Sequence, residues 1–99
     1  MNESPVLVHV WQVDPTEEAA VVGRLEEMLG DVVKDPGFLR ARVFQSGDRT
    51  SIAITIEMRS VEDRQRLEQL PEVRGTLDNL PGTANLIIKL YHEVGSYGA

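Results

Sequence analysis

Apolar residues follow a strand pattern and then a helix pattern, and this order occurs twice along the chain. Residues Val6–Val13 are mostly β-branched and carry apolar side chains on both alternating sides, which is typical of a buried strand. Residues 14–18 supply Asp14 as a cap, a proline and two acids, so they favour the start of a helix. The apolar residues of this first helix recur every three or four positions: Val22, Leu25, Met28, Leu29, Val32 and Val33.

The second half of the chain repeats this order. Phe38–Gln45 and residues 51–59 alternate as two strands joined by a Ser-Gly-Asp-Arg turn. Ser60 begins a capping-box-like sequence that opens a second helix. Pro71 has no amide hydrogen, so we expect a break there and a resumed helix from about Glu72. The apolar face of this helix is formed by Leu67, Leu70, Val73, Leu77 and Leu80, with Pro81 and Gly82 ending it.

The two units predict one α+β domain over residues 1–99. Residues 85–94 form its last strand, and the glycine-rich tail frays. Right-handed crossovers interleave the units into a ferredoxin-like βαββαβ fold, a four-stranded antiparallel sheet of order 4-1-3-2 with both helices on one face. The opposite face would expose Leu7, Trp11, Phe38, Phe44, Ile87 and Tyr91. Because monomers rarely expose so large an apolar patch, we expect a homodimer with a cavity between two facing sheets.

Composition narrows the partners. The formal charge of −6 argues against nucleic acids and anionic membranes, which bind clustered Lys and Arg. No apolar stretch reaches the length of a membrane span, and the first residues do not resemble a leader peptide, so we expect a cytoplasmic protein. The chain has no cysteine, and no His, Asp or Glu cluster has metal-ligand spacing. We therefore expect no metal and no bound cofactor.

Four segments carry a resemblance to a known family: residues 35–39 (Asp-Pro-Gly-Phe-Leu), 52–58, 71–74 and 77–82. With these segments the chain resembles the antibiotic biosynthesis monooxygenase family, especially the small cofactor-free oxygenases that convert anthrones into quinones in aromatic polyketide pathways. The resemblance covers nearly the whole chain. It implies ferredoxin-like subunits that pair into a dimeric α+β barrel, and a small aromatic, polyketide-like ligand.

The chain departs from this family on the third strand. The resemblance implies a catalytic asparagine and, four residues later, a tryptophan, whereas this chain has Ile54 and Met58 there. The haem-degrading branch also needs polar residues that are absent here, so haem is not expected. The family alignment places Ile54 and Met58 in the cavity as substrate-binding residues. Strand alternation instead lets Ile52, Ile54 and Ile56 face the helices, and a bulge could reconcile the two.

Cofactor-free oxidation needs a base, an oxyanion donor and a wall for planar rings. His9 is the candidate base because neutral imidazole accepts a proton near pH 7; the alternative is a space-filling histidine. Trp11 is the candidate stacking wall, or else an ordinary core residue. Tyr91 and Arg42 are candidate oxyanion donors, or else interface and sheet-edge residues. The remaining candidate substrate-binding residues are Phe44, Arg74 and Lys89.

Three functions remain open from the sequence. The first is a cofactor-independent monooxygenase or related tailoring enzyme acting on an aromatic polyketide-like substrate. The second keeps the barrel but performs a non-oxidative cyclisation or isomerisation, which the loss of the asparagine and tryptophan favours. The third is a noncatalytic dimer that binds a small ligand, because polar candidates are few.

Overall fold

The fold is a four-stranded antiparallel sheet covered on one face by helices. The computed structural model describes residues 5–78, 80 and 82–98. Its elements are β1 (Val6–Val13), α1 (Glu18–Val32), β2 (Phe38–Gln45), β3 (Ser51–Met58), α2 (Val61–Glu68), α3 (Pro71–Asp78) and β4 (Thr83–Tyr91). The strand order is β2-β3-β1-β4, with all neighbours antiparallel. This confirms the predicted α+β, ferredoxin-like fold and its strand order. The predicted helix stop at Pro81 lies outside the described residues.

The helix ends follow local hydrogen bonding. Asp14 does not cap α1; its Oδ1 accepts hydrogen bonds from the amide and hydroxyl of Thr16 at 2.9 and 2.7 Å, forming a turn before the helix begins at Glu18. Ser60 does cap α2, because its Oγ accepts from the amide of Asp63 at 3.1 Å, as predicted.

The predicted break in the second helix is confirmed. α2 ends at Glu68, and α3 begins at Pro71 itself, one residue before the predicted Glu72. Proline at the first position of a helix loses no intrahelical hydrogen bond, which explains why the break coincides with this residue.

The side of strand β1 that faces the helices is the opposite of the predicted one. Leu7, His9 and Trp11 pair with Ile56, Ile54 and Ile52 of β3, and all six are at most 4% exposed. Leu7 and Trp11 therefore lie under the helices and not on the uncovered face. Both sides of β1 are apolar, so alternation alone could not orient the strand. The core cluster contains Trp11, Val13, Val21, Leu25, Met28, Val32, Ile52, Ile54, Ile56, Met58, Leu67, Val73 and Leu80.

Phe38 also lies on the helix-covered face. It pairs with the buried Met58, and a register shift between Phe38 and Arg40 sends the rest of β2 out of the predicted alternation. Past the shift, Phe44 faces away from the helices and is 46% exposed. The prediction of an uncovered apolar face holds for Phe44, Ile87 and Tyr91, which are each about half exposed.

Candidate functional site

A cavity of about 320 Å³ lies between the sheet and the α2–α3 pair. The sheet supplies residues from β1, β3 and β4, and the helices supply the opposite wall. Its lining consists of Leu7, His9, Ile56, Leu67, Glu68, Val73, Arg74, Leu77, Leu86 and Ile88. Most of these side chains are apolar, with three polar ones among them, which is the usual composition of a small-molecule site.

The broken helix places both of its halves on this cavity. Leu67 ends the buried face of α2, and Val73 begins that of α3; they are 1% and 4% exposed. Glu68 and Arg74 each follow one of these anchors in sequence and also line the cavity. On the sheet side, a register shift between β1 and β4 accompanies Asn85, which has a left-handed φ of 53°. Beyond it, Leu86 and Ile88 reach the cavity.

His9 is the buried polar group of the sheet wall. Its side chain is 2% exposed, and its Nδ1 has no hydrogen-bond partner among the described residues. Burial lowers the pKa of His9 from 6.5 to about 4, because the charged imidazolium loses its hydration. His9 is therefore neutral at pH 7, and it lines the cavity from the sheet side. The base role predicted for it stays a prediction.

The helix wall carries the charges. Arg64 Nη1 lies 2.7 Å from Glu68 Oε2, so the carboxylate that lines the cavity is already paired. Arg74 is exposed and forms no ion pair within the described part of the chain. The cavity thus combines a neutral imidazole on one wall with an unpaired guanidinium on the other.

Trp11 stacks on His9 and lines a second, separate pocket. The ring centroids are 5.6 Å apart, with 16° between the ring planes. This pocket has a volume of about 460 Å³ and is lined by Val10, Trp11, Gln12, Val13, Thr50, Ser51, Asn85 and Ile87. Trp11 is 2% exposed and does not line the His9 cavity. Its indole stacks on the imidazole of His9, and its predicted role as a stacking wall for a substrate stays a prediction.

Four other predicted site residues lie on the opposite face of the sheet. Tyr91 and Lys89 pair with Val6 and Val8 of β1, and Arg42 and Phe44 pair with Thr55 and Ala53 of β3. These positions alternate with the residues that face the helices. Within one protomer, Tyr91 and Arg42 do not converge with His9. Their predicted role as oxyanion donors requires a site on the uncovered face, and it stays a prediction.

Ile54 and Met58 are both completely buried in the core. They face the helices, as strand alternation predicted, but neither contributes to the lining of the His9 cavity. The substrate-binding role that the family alignment gives these two residues stays a prediction. His9 and Arg74 are the predicted site residues that the structure brings to one cavity.

Sequence reasoning missed Glu68 and the cavity-facing part of β4. In the sequence, Glu68 is typical of a solvent-exposed acidic residue on a helix, four positions after Arg64. No sequence pattern predicts the register shift between β1 and β4. The apolar face that contains Leu67, Val73 and Leu77 was the sequence feature that could have predicted the cavity. It is interrupted by Pro71, and a helix broken by proline cannot pack flat on a sheet. In the described residues, no group of three or more His, Asp or Glu side chains could hold a metal ion.

The fold places the chain among small ferredoxin-like α+β proteins. Similar solved structures include a putative antibiotic biosynthesis monooxygenase from Nitrosomonas europaea, at TM-score 0.84 and 15% identity, covering 99% of this chain and 97% of that one. Another, from Deinococcus radiodurans, has a TM-score of 0.82 and 15% identity and covers 96% and 97%. A third, from Chloroflexus aurantiacus J-10-fl, has a TM-score of 0.74 and 24% identity over 96% and 97%.

These likenesses confirm the predicted resemblance at the level of the fold. No family model matches the sequence, and no curated protein matches it. None of the helices in the described ranges is long and apolar enough to cross a membrane.

Proposed function

We propose that this protein is a cofactor-independent oxygenase, or a closely related tailoring enzyme, that acts on a planar aromatic, polyketide-like substrate in the His9 cavity. The observation that carries the proposal is the buried, neutral His9 in a largely apolar cavity lining, with an Nδ1 that has no hydrogen-bond partner among the described residues. The fold shared with putative antibiotic biosynthesis monooxygenases supports the same class of reaction.

The proposed reaction starts with proton transfer to His9 from an acidic C–H group between aromatic rings. Burial keeps His9 unprotonated at pH 7, and the enolate formed beside it stabilises the imidazolium by ion pairing. The enolate then transfers electrons to dioxygen and a carbon–oxygen bond forms, and the peroxide anion takes the proton back from the His9 imidazolium to give a hydroperoxide. Loss of water leaves a carbonyl, so one oxygen atom enters the product and the other leaves as water. The substrate supplies all the electrons, and no cofactor is needed.

We also propose that the uncovered sheet face pairs with a second copy to form a homodimer in the cytoplasm. Phe44, Ile87 and Tyr91 leave an apolar surface on this face, which burial against an identical sheet would cover. Tyr91 and Arg42 would then belong to the dimer interface or to a space between the sheets. Their alternative role as oxyanion donors depends on that assembly.

Anthrone is the probe that tests the proposed reaction. We expect dioxygen uptake and quinone formation with catalytic amounts of protein, and a loss of about 10²-fold in His9→Ala, the scale of a positioned base. His92→Ala is the matched control, because the other histidine is exposed and lies after β4. Uptake that survives His9→Ala unchanged rejects the base.

The competing functions give different results in the same assay. Product formation from a polyketide intermediate under strict anaerobiosis would indicate a cyclase or isomerase, which the absence of the family's asparagine and tryptophan at positions 54 and 58 favours. Saturable binding of the aromatic probes without turnover would indicate a noncatalytic ligand-binding protein.

A further inference from the structure

Of the charged side chains that line the His9 cavity, one forms an ion pair with another described residue and one does not. Two charged side chains line it, Glu68 and Arg74. Glu68 is neutralised by Arg64 at 2.7 Å, whereas Arg74 has no ion pair within the described part of the chain. Although the formal charge of the chain is −6, the cavity lining therefore carries one positive charge, that of Arg74, without an ion-pair partner among the described residues.

The other lining residues limit which kind of ligand can bind next to Arg74. His9 is neutral near pH 7 and cannot serve as a second cation. The other lining residues are aliphatic side chains from both walls: Leu7, Ile56, Leu67, Val73, Leu77, Leu86 and Ile88. Such surfaces favour an apolar body, while Arg74 favours a single negatively charged oxygen group.

The geometry points to an aromatic monoanion as the ligand of this cavity, with its ring system between sheet and helices and its carboxylate or phenolate against Arg74. This inference rests on the proposed function, because it names the substrate class of the same site. The Arg64–Glu68 ion pair supports this selection, because it offsets the negative charge of Glu68, which would otherwise repel the anion or pair with Arg74. Arg74 is thus a specificity-determining residue and not a base or a nucleophile.

The test compares 2-naphthoate with 2-naphthamide, which have the same rings and differ in charge. Isothermal calorimetry at pH 7.5 measures both dissociation constants for the full chain. Because Arg74 is solvent-accessible, we expect the anion to bind only about fivefold more tightly than the amide. Arg74→Gln should reduce this ratio to about one and leave 2-naphthamide binding unchanged, whereas Arg74→Lys should keep part of the preference.

Two further variants separate charge selection from general damage. Glu68→Gln removes one negative charge and leaves Arg64 without its ion-pair partner, so the preference for 2-naphthoate should increase. Arg24→Gln removes an exposed arginine of α1 that does not line the cavity, and the ratio should stay at the wild-type value.

Four results would overturn the inference. Equal affinity for the two ligands in the wild type, or a preference that Arg74→Gln leaves intact, contradicts charge selection while the aromatic pocket still stands. Failure of both ligands to bind also removes the cavity as an aromatic site, and the proposed function with it. Leu77→Phe, which narrows the cavity, should weaken both ligands equally; unchanged binding would place the ligands elsewhere and reject this site.

Discussion

His9 and Trp11 stack on the same face of β1, with ring centroids 5.6 Å apart and both side chains 2% exposed. The contact joins the polar group of the cavity to the only tryptophan of the chain. Trp11 also lines the second pocket. Changes in the charge of His9 are therefore expected to alter the fluorescence of a single, known residue.

The fluorescence of Trp11 should report a histidine that does not titrate near its ordinary pKa. Between pH 7.5 and 5.5, we expect constant emission, because burial lowers the pKa of His9 to about 4. A change of emission should begin only below about pH 5, as an imidazolium forms beside the indole. A fluorescence midpoint near 6.5 that is absent in His9→Gln and present in His92→Gln would contradict the burial of His9.

The same pKa shift makes stability depend on pH. In the unfolded chain His9 takes up a proton below about pH 6.5, whereas in the folded protein it stays neutral down to about pH 4. The unfolded state therefore binds more protons than the folded state between these two pH values. Protonation of His9 in the unfolded state therefore costs no unfolding free energy above pH 6.5. As the pH falls toward 4, the unfolding free energy decreases, by at most roughly 3 kcal/mol.

Urea unfolding at pH 7.5, 6, 5 and 4.5 measures this dependence. The decrease should be shallower in His9→Phe than in the wild type, while His92→Phe should follow the wild type. Parallel curves for all three proteins would show that carboxylates alone account for the pH dependence.

Substitutions of Ile54 test whether the position that aligns with the family's catalytic asparagine serves in this chain to stabilise the core. Ile54→Asn would place an amide without partners at a site that is 0% exposed, and we expect a loss of roughly 3–5 kcal/mol of unfolding free energy. Ile54→Val should cost only about 1 kcal/mol. Thermal and urea unfolding measure both variants. A stable Ile54→Asn protein with faster anthrone oxidation would instead indicate that this position contacts substrate.

Ser60→Ala should destabilise the helix that carries Glu68 to the cavity. The substitution removes the acceptor of the Asp63 amide, and loss of such a cap costs about 1 kcal/mol. Ser60→Thr keeps the hydroxyl and should stay closer to the wild type. Urea unfolding gives the difference, and equal stability of Ser60→Ala and wild type would show that the cap is dispensable.

The proposed homodimer should depend on the uncovered sheet face. Light scattering at working concentration should give twice the chain mass of 11.0 kDa for the wild type, whereas Ile87→Glu should shift the population toward the single-chain mass. Val33→Glu changes a similarly exposed residue at the end of α1 and should stay dimeric. A wild-type protein that remains at 11.0 kDa would contradict the proposal.

The sequence predicted the elements and their order better than it predicted the site. Ser60 and Pro71 act through local chemistry, a hydroxyl acceptor and a missing amide, so their effects could be read from neighbouring residues. The orientation of His9 could not, because β1 is apolar on both sides and the choice depends on which side the helices cover. The shift after Phe38 was equally hidden, since a bulge moves one residue without leaving a pattern in the sequence.

The interruption at Pro71 also explains how a short stretch of chain can enclose a space. Glu68 and Arg74 are six residues apart, and in an unbroken helix they would point about 120° away from each other. Two short helices with separate axes can aim both side chains at the same point. Substituting Pro71 would remove the corner between the two helices, and the two groups would then face different directions.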